Sequence, residues 1–284
     1  MFTEYKDLTY ENISNISVGH IYNLRKSVHY QRLTKKYEKT KPRIVNIGER
    51  RKPTPNGVPG YLRVDTVHQG DMDRQKGVYH INILDEVTQF EIAGSVEKIT
   101  ESFLVPLLLK LINKFPFRVF EFHADNGSEY INRQVANMLN RLLIKLTKSR
   151  SRQTNDNAQV ESKNGSVIRK WMGYGFIDQK HAPEINKFYF DIFNEYLNFH
   201  RPCAFATEIE DRKGKIKKVY KQENYMTPYE KFKSLTNSYS FLKPGITFEK
   251  LEEIAKRKTD NQIAEEIQNT RYKLFNRILP TYSS

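Results

Sequence analysis

Cysteine is nearly absent from this 284-residue chain, in which Cys203 is the single one. One thiol forms no internal disulfide and cannot supply the two thiolates of a zinc site made of two cysteines and two histidines, so we expect a reducing, cytoplasmic setting. The sequence also lacks a run of about 18 apolar residues, so we expect no membrane span. Its first ten residues contain no basic region followed by an apolar stretch, so we expect no secretory signal.

Acidic residues are fewer than basic ones, with 33 Asp and Glu against 47 Lys and Arg, and the net charge is +14. Such an excess favours a polyanionic partner, most often nucleic acid. A solvated basic surface on an ordinary enzyme is the alternative. The excess is uneven, because residues 1–60 hold 12 basic and 5 acidic residues, a surplus of 7 that is half of the total.

Residues 1–31 have the pattern of short helices, with Ser17 as a predicted N-cap. Because Arg25 and Lys26 lie on the polar side of the second helix, the region is predicted to be a helix-turn-helix-like DNA-binding module. A small amphipathic helix pair without any DNA role has the same pattern. Residues 32–59, rich in Lys, Arg, Pro and Gly, are predicted to be a basic linker that either follows phosphates or is only solvated.

From residue 60 the chain has the pattern of a compact domain. Its elements follow the order β-β-β-α-β-α-β-α, with strands predicted at 61–68, 77–86, 88–96, 117–124 and 144–148 and helices at 100–116, 128–143 and 156–171. This order predicts an α/β (α+β) fold in which helices flank a mixed five-stranded sheet. Residues 233–284 are predicted to be a helical C-terminal extension that serves either oligomerisation or DNA contact.

Three acidic residues stand at unusual places in this pattern. Asp65 lies within the first strand, where burying a charge is costly unless something offsets it. Asp125 ends the fourth strand, so the two carboxylates converge if these strands are neighbours. Converging carboxylates repel unless a cation lies between them, and Mg²⁺ or Mn²⁺ suits such hard oxygen ligands. Glu161, which follows Asp125 after 35 intervening residues, lies on the third helix and completes a set suited to two-metal chemistry on a phosphodiester.

Each acid also has an ordinary interpretation. The sequence Asp-Asn-Gly that begins at Asp125 is common in turns, and a glutamate on a polar helix is usually only solvated. Asp85 competes for the first-carboxylate role, but it falls in a predicted hairpin turn, and Asp71 and Asp73 fall in a polar loop. The conjunction of the three acids with the element order and the basic charge carries the prediction.

These residues resemble the DDE integrase/transposase superfamily, in particular bacterial insertion-sequence transposases with a retroviral-integrase-like core. The resemblance rests on Asp65, on "DNGSE" from Asp125, and on Glu161 within "DNAQVESKN". Downstream, "LNFHRPC" and "MTPYE" are similar to further family elements, although Leu197 and Cys203 depart from the pattern. The resemblance implies a ribonuclease H-like catalytic core over residues 60–232 and metal-dependent DNA strand cleavage and joining.

The resemblance also implies roles and partners. Asp65 is expected to be the shared ligand of two Mg²⁺ or Mn²⁺ ions, and Asp125 and Glu161 each complete one. DNA, as element ends and as target, is the expected partner of a homo-oligomer in the bacterial cytoplasm, close to the nucleoid. A related nuclease that does not join strands, or a DNA-binding remnant without catalysis, remains open.

Further residues are predicted to support the site or to contact phosphates. Asn126 and Gly127 are expected to shape the turn behind Asp125, whereas Asn157 either supports Glu161, opens its helix or touches DNA. Basic residues around the loop and helix of Glu161 are the candidate phosphate contacts, with solvated surface residues as the alternative: Lys148, Arg150, Arg152, Lys163, Arg169 and Lys170.

Overall fold

The computed structural model describes residues 2–33, 46–125, 127–150, 153, 156–210, 214 and 216–279. The chain divides into two compact units, residues 1–45 and 46–284. The first unit contains four short helices in its described part: α1 (Phe2–Tyr5), α2 (Glu11–Ser14), α3 (Val18–Lys26) and α4 (Val28–Leu33). Ser17 caps α3 as predicted, because its hydroxyl accepts a hydrogen bond from the His20 N–H at 3.2 Å. None of the side chains described for this unit is buried.

The second unit is built around a mixed β-sheet. The strands of its described part are, in chain order, β1 (Glu49–Arg50), β2 (Tyr61–His68), β3 (Asp71–Met72), β4 (Gln75–Lys76), β5 (Tyr79–Asp85), β6 (Glu91–Val96), β7 (Glu121–Ala124), β8 (Lys145–Lys148), β9 (Cys203–Ala204), β10 (Thr207–Glu210), β11 (Ile216–Val219) and β12 (Tyr225–Met226). Six of them form one sheet in the order β1-β8-β7-β2-β5-β6. Strands β1, β8, β7 and β2 pair in parallel, whereas β5 is antiparallel to both of its neighbours.

The predicted fold class is confirmed, because helices flank a mixed sheet and the element order is the predicted one. The neighbouring position assumed for the first and fourth predicted strands is also observed, as β2 and β7 are adjacent. The sheet has six strands rather than five. The additional strand, β1, comes from the stretch predicted to be a linker, where Glu49 and Arg50 pair with Thr147 and Lys148. Residues 34–45 of that stretch lie outside the described residues.

The helices of the second unit pack on both the sheet and one another. In the described part they are α5 (Glu101–Asn113), α6 (Arg133–Arg141), α7 (Ala158–Lys163), α8 (Lys170–Met172), α9 (Ala182–Phe188), α10 (Pro228–Lys233), α11 (Phe248–Lys256) and α12 (Asp260–Ile278). π-helical turns join α7 to α8 and continue α9 as far as His200. Ile263 and Ile267 of α12 share one buried cluster with Trp171 and Phe193, so the C-terminal helix belongs to the core of this unit. No helix in these described ranges combines the length and the apolar character that crossing a membrane requires.

The outer edge of β6 is covered by a row of asparagine amides. Three asparagines of the helical stretch 182–200 each accept a hydrogen bond from the N–H and donate one to the carbonyl of a single β6 residue. The pairs, with bond lengths of 2.7–3.1 Å, are Asn198 with Glu91, Asn194 with Ala93 and Asn186 with Ser95. Each amide therefore satisfies the two backbone groups that an edge strand would otherwise leave unpaired.

Candidate active site

Asp65 and Asp125 meet at the point where two adjacent parallel strands end their pairing. Val64 of β2 is in register with Ala124 of β7, so the two aspartates are the next residues along each chain. On its other side, Asp65 is in register with Asn82 of β5. The sheet therefore brings together two carboxylates that are sixty positions apart in the sequence.

The Asp65 carboxylate is held by two hydrogen bonds and lies among negative charges. Its Oδ1 accepts from the N–H of Thr66 at 2.8 Å, and its Oδ2 accepts from the side-chain amide of Asn164 at 2.7 Å. Burial, followed by the charges of Asp125 and Glu161, raises the pKa of Asp65 from 3.8 to about 6, against the opposing effect of these two hydrogen bonds. The charges of both other predicted carboxylates thus act on Asp65.

The loop after Asp125 folds back on that residue. Gly127 donates its N–H to Asp125 Oδ1 at 2.9 Å. The Glu129 carboxylate lies over Gly127, and burial together with the Asp125 charge raises the pKa of Glu129. The buried Tyr130 hydroxyl bonds the hydroxyl of Thr66 and so ties the loop to β2. Asn126 lies outside the described residues.

Glu161 is exposed on α7, and the start of that helix is fixed to β2 at two points. Asn157 donates its side-chain amide to the Val64 carbonyl at 3.3 Å, one residue before Asp65. The buried Arg63 donates to the carbonyl of Asp156 and also to the carboxylate of Glu86. Asn157 thus has a position that supports the helix of Glu161, one of its three predicted roles.

Two of the predicted phosphate contacts are interior residues instead. Lys163 is buried, and its Nζ lies 3.8 Å from Glu91 Oε2 and donates to Cys203 Sγ at 3.2 Å. Lys148 is also buried, and its Nζ donates to the Ile47 carbonyl at 2.6 Å. Contrary to the prediction, neither ammonium group faces solvent, because each satisfies interior acceptors.

The other predicted phosphate contacts differ in how available they are. Arg150 makes a bidentate ion pair with the buried carboxylate of Asp156, which holds the pKa of that acid at about 2. Arg169 donates to the His68 carbonyl at 2.7 Å, whereas Lys170 is exposed. Arg25 and Lys26 are exposed on α3 of the first unit. Arg152 lies outside the described residues.

The competing acid Asp85 has a structural position. Its Oδ1 accepts from the Gly60 N–H at 2.6 Å, and its Oδ2 accepts from the N–H and the hydroxyl of Thr88. The carboxylate therefore closes the hairpin between β5 and β6. His123, two residues before Asp125, is packed between the hydroxyls of Thr147 and Ser149.

The donor chemistry of the carboxylate cluster fits a hard divalent cation, although the ligand sphere is not assembled. Within the described ranges, no three His, Cys, Asp or Glu side chains are arranged to hold a metal ion. Asp65 is nevertheless raised in pKa by burial and by two further carboxylates, a conflict that a divalent cation relieves. Glu161 is exposed, and no hydrogen bond holds its carboxylate within the described residues.

Sequence reasoning missed the polar residues that hold this cluster. Asn164 bonds Asp65 directly, and Asn82 donates to Asn164 Oδ1 at 3.1 Å. The signal for Asn164 was its position three residues after Glu161, on the same side of the helix. Arg63 and Tyr130 gave no such signal, because their partners are distant in the sequence.

Comparisons with known proteins give one curated relative and several solved structures. No protein family model matches the chain. The uncharacterized protein y4rM of Sinorhizobium fredii (strain NBRC 101917 / NGR234) is 28% identical over 146 residues, which are 51% of this chain and 42% of that protein. The match thus spans less than half the length of the curated relative.

Two solved structures align with part of this chain. A chain of the simian T-cell lymphotropic virus intasome in complex with PP2A regulatory subunit B56 gamma is 16% identical, with 57% of this chain and 55% of that chain covered and a TM-score of 0.33. The catalytic core domain of BIV integrase is 14% identical, with 60% and 91% covered and a TM-score of 0.38. At these identities and TM-scores, neither structure supports a statement about the site of this chain.

Proposed function

We propose that this protein cleaves and joins DNA strands, with Asp65, Asp125 and Glu161 as its catalytic carboxylates. The observation that supports the proposal is the placement of Asp65 and Asp125 directly after the paired residues Val64 and Ala124 of adjacent strands, where the charges of Asp125 and Glu161 act on Asp65. The match of their spacing to the DDE pattern and the net charge of +14 support it further. The catalytic core over residues 60–232 belongs to the same proposal, whereas the last helix of residues 233–284 packs into the core of the same unit.

The roles of the residues follow from their positions. Asp65 would be the shared ligand of two Mg²⁺ or Mn²⁺ ions, and Asp125 and Glu161 would each complete one. When bound, such ions activate the attacking oxygen and stabilise the leaving oxygen of a phosphodiester. Asn164 orients the Asp65 carboxylate through its 2.7 Å hydrogen bond, and Asn157 anchors the helix that presents Glu161.

DNA contact is assigned to the exposed cations rather than to all predicted ones. Lys170, on the helix that follows Glu161, is available to a phosphate, and so are Arg25 and Lys26 in the first unit. Arg150 would contact DNA only if a phosphate replaced Asp156 as the partner of its guanidinium group. Element ends and target DNA as substrates, the helix-turn-helix role of the first unit, assembly as a homo-oligomer on DNA, and action in the bacterial cytoplasm are parts of this proposal.

The test uses supercoiled plasmid DNA with Mg²⁺ or Mn²⁺ and compares the wild type with Glu161→Gln. We expect metal-dependent nicking and joined products from the wild type, and neither from the variant, while DNA binding is retained. Glu184→Gln, an exposed glutamate at the first turn of α9, is the matched control and should behave as the wild type. Nicking without joined products would favour the nuclease, and DNA binding without nicking would favour the remnant. Full activity of Glu161→Gln would reject the assignment.

A further inference from the structure

We propose that Glu91 and Lys163 are a positioning pair whose buried contact sets the rotation of α7 and thereby directs Glu161 and Asn164 toward Asp65. The inference rests on the proposed function, since it concerns the alignment of the same site. Neither residue is expected to touch DNA or a metal ion.

Lys163 occupies a place on α7 where an apolar residue would be expected. Val160, Lys163 and Val167 recur at the spacing of one helix face, and all three are buried. Lys163 follows Glu161 by two positions, which is about 200° around a helix. A lysine that is held in the interior therefore turns Glu161 away from the core and toward the mouth of the site.

Glu91 is a fixed partner for that lysine. It is 1% exposed at the start of β6, and Asn198 holds both its N–H and its carbonyl at 2.7 Å. Burial raises the pKa of Glu91, and the positive charges of Lys163 and Arg201, with the amide of Asn82, oppose that rise. The backbone of Glu91 is thus anchored, so the helix rather than the strand would adjust if the contact were lost.

The residue after Lys163 is joined to the site by the strand next to β2. Asn82 lies opposite Asp65 in the β2–β5 pairing and donates to Asn164 Oδ1 at 3.1 Å. Asn164 in turn donates to Asp65 Oδ2 at 2.7 Å. Glu91 therefore contacts α7 through Lys163, and Asn82 holds the next residue, Asn164, in line with Asp65.

Stability alone does not account for this arrangement. A buried ion pair commonly contributes no more to stability than apolar residues of similar size. The contact between Glu91 and Lys163 fixes the rotation of α7 about its axis, whereas methionine side chains in their place would not. Direction matters here because α7 has six residues and passes at once into a π-helical turn at Asn164, which leaves the segment few helical hydrogen bonds of its own.

The test is the double variant Lys163→Met/Glu91→Met, which replaces the pair by apolar side chains. The thermal midpoint reports on folding, and three further quantities report on the site: the NMR signal of the Asn164 side-chain amide, assigned with Asn164→Ala; the affinity for Mn²⁺ alone by calorimetry; and the nicking rate. We expect a thermal midpoint close to that of the wild type, a displaced Asn164 signal, and losses of about tenfold or more in Mn²⁺ affinity and nicking rate. Arg257→Met/Glu195→Gln removes another ion pair, remote from α7, and should change none of the three.

A double variant with the wild-type Asn164 signal and Mn²⁺ affinity overturns the proposal. If that variant does not fold, Lys163→Arg, which keeps the charge but changes the head group, takes its place. It should fold, displace the Asn164 signal and weaken Mn²⁺ binding about threefold, and an unchanged signal and affinity would equally overturn the proposal. A wild type that neither binds Mn²⁺ nor nicks DNA would refute the proposed function, whereas the Asn164 signal would still decide whether the pair positions the helix.

Discussion

Replacement of Asp65 by asparagine should alter the stability of the metal-free protein in opposite directions at high and low pH. Burial, with the charges of Asp125 and Glu161, raises the pKa of this carboxyl from 3.8 to about 6 in the folded protein. A group with a raised folded-state pKa contributes stability below its unfolded pKa and loses that contribution as the pH rises through the folded value. Ionised Asp65 is therefore a source of instability above about pH 6.

The magnitude follows from the same values. The difference between 3.8 and about 6 corresponds to about 3 kcal/mol at full burial, which we reduce to about 2 kcal/mol because the site is partly open to solvent. Asparagine weakens the hydrogen bond from Asn164, at a cost of about 1 kcal/mol. Asp65→Asn should therefore raise the free energy of unfolding by about 1 kcal/mol at about pH 8 and lower it by about 1 kcal/mol at about pH 4.

Urea unfolding in the presence of a chelator measures this effect. The buried Trp171, the single tryptophan of the chain, reports the transition by fluorescence. Asp73→Asn, at an exposed turn position, is the control and should leave the free energy of unfolding unchanged at both pH values. If Asp65→Asn destabilised the protein equally at both pH values, the pKa of Asp65 would not be raised in the folded protein, and the reasoning about its buried, negatively charged surroundings would fail.

Three further predictions concern the fold, the helix anchor and DNA binding. Asn194→Ala leaves two buried backbone groups of Ala93 unpaired and should lower the free energy of unfolding by about 2–4 kcal/mol. Asn186→Ala, at a partly exposed position of the same edge, should lower it by about 1 kcal/mol, and urea titration compares the two variants. Arg63→Met breaks the link to Glu86 and Asp156, so amide hydrogen exchange of residues 156–163 should speed up relative to the wild type, and equal protection would contradict the anchor. Lys170→Ala should reduce the slope of log DNA affinity against log salt concentration by about 1. Lys148→Ala should leave that slope unchanged and lower the stability of the fold, and a reversed outcome would show that Lys148 is the phosphate contact.

Much of the core sheet was predictable, because its signals are local. Alternation and apolar runs located β2 at residues 61–68 as observed, and the turn at Asp125 marked the end of β7 to within a residue. Strand β1 was not predictable, since a two-residue strand has no periodicity and exists only through its pairing with β8.

The acidic residues of the site could be predicted from the sequence, whereas the residues that hold them in place could not. Spacing and motif identified the carboxylates, whereas the assumption that a basic residue lies on the surface failed for Lys148 and Lys163. Both have charges that interior acceptors satisfy, and these acceptors, such as Glu91, come from segments distant in the sequence. Tertiary pairing of this kind leaves no local trace in the composition or the periodicity of a helix.

The asparagine row along β6 constrains how copies of this chain can associate. Its three amides take the positions that the peptide groups of a seventh strand would occupy, so β-strand addition from another molecule is blocked there. At the opposite margin, β1 offers only two residues, and Glu49 is paired with Lys145. We therefore expect a multimer on DNA not to extend this six-stranded sheet from one copy of the chain into the next.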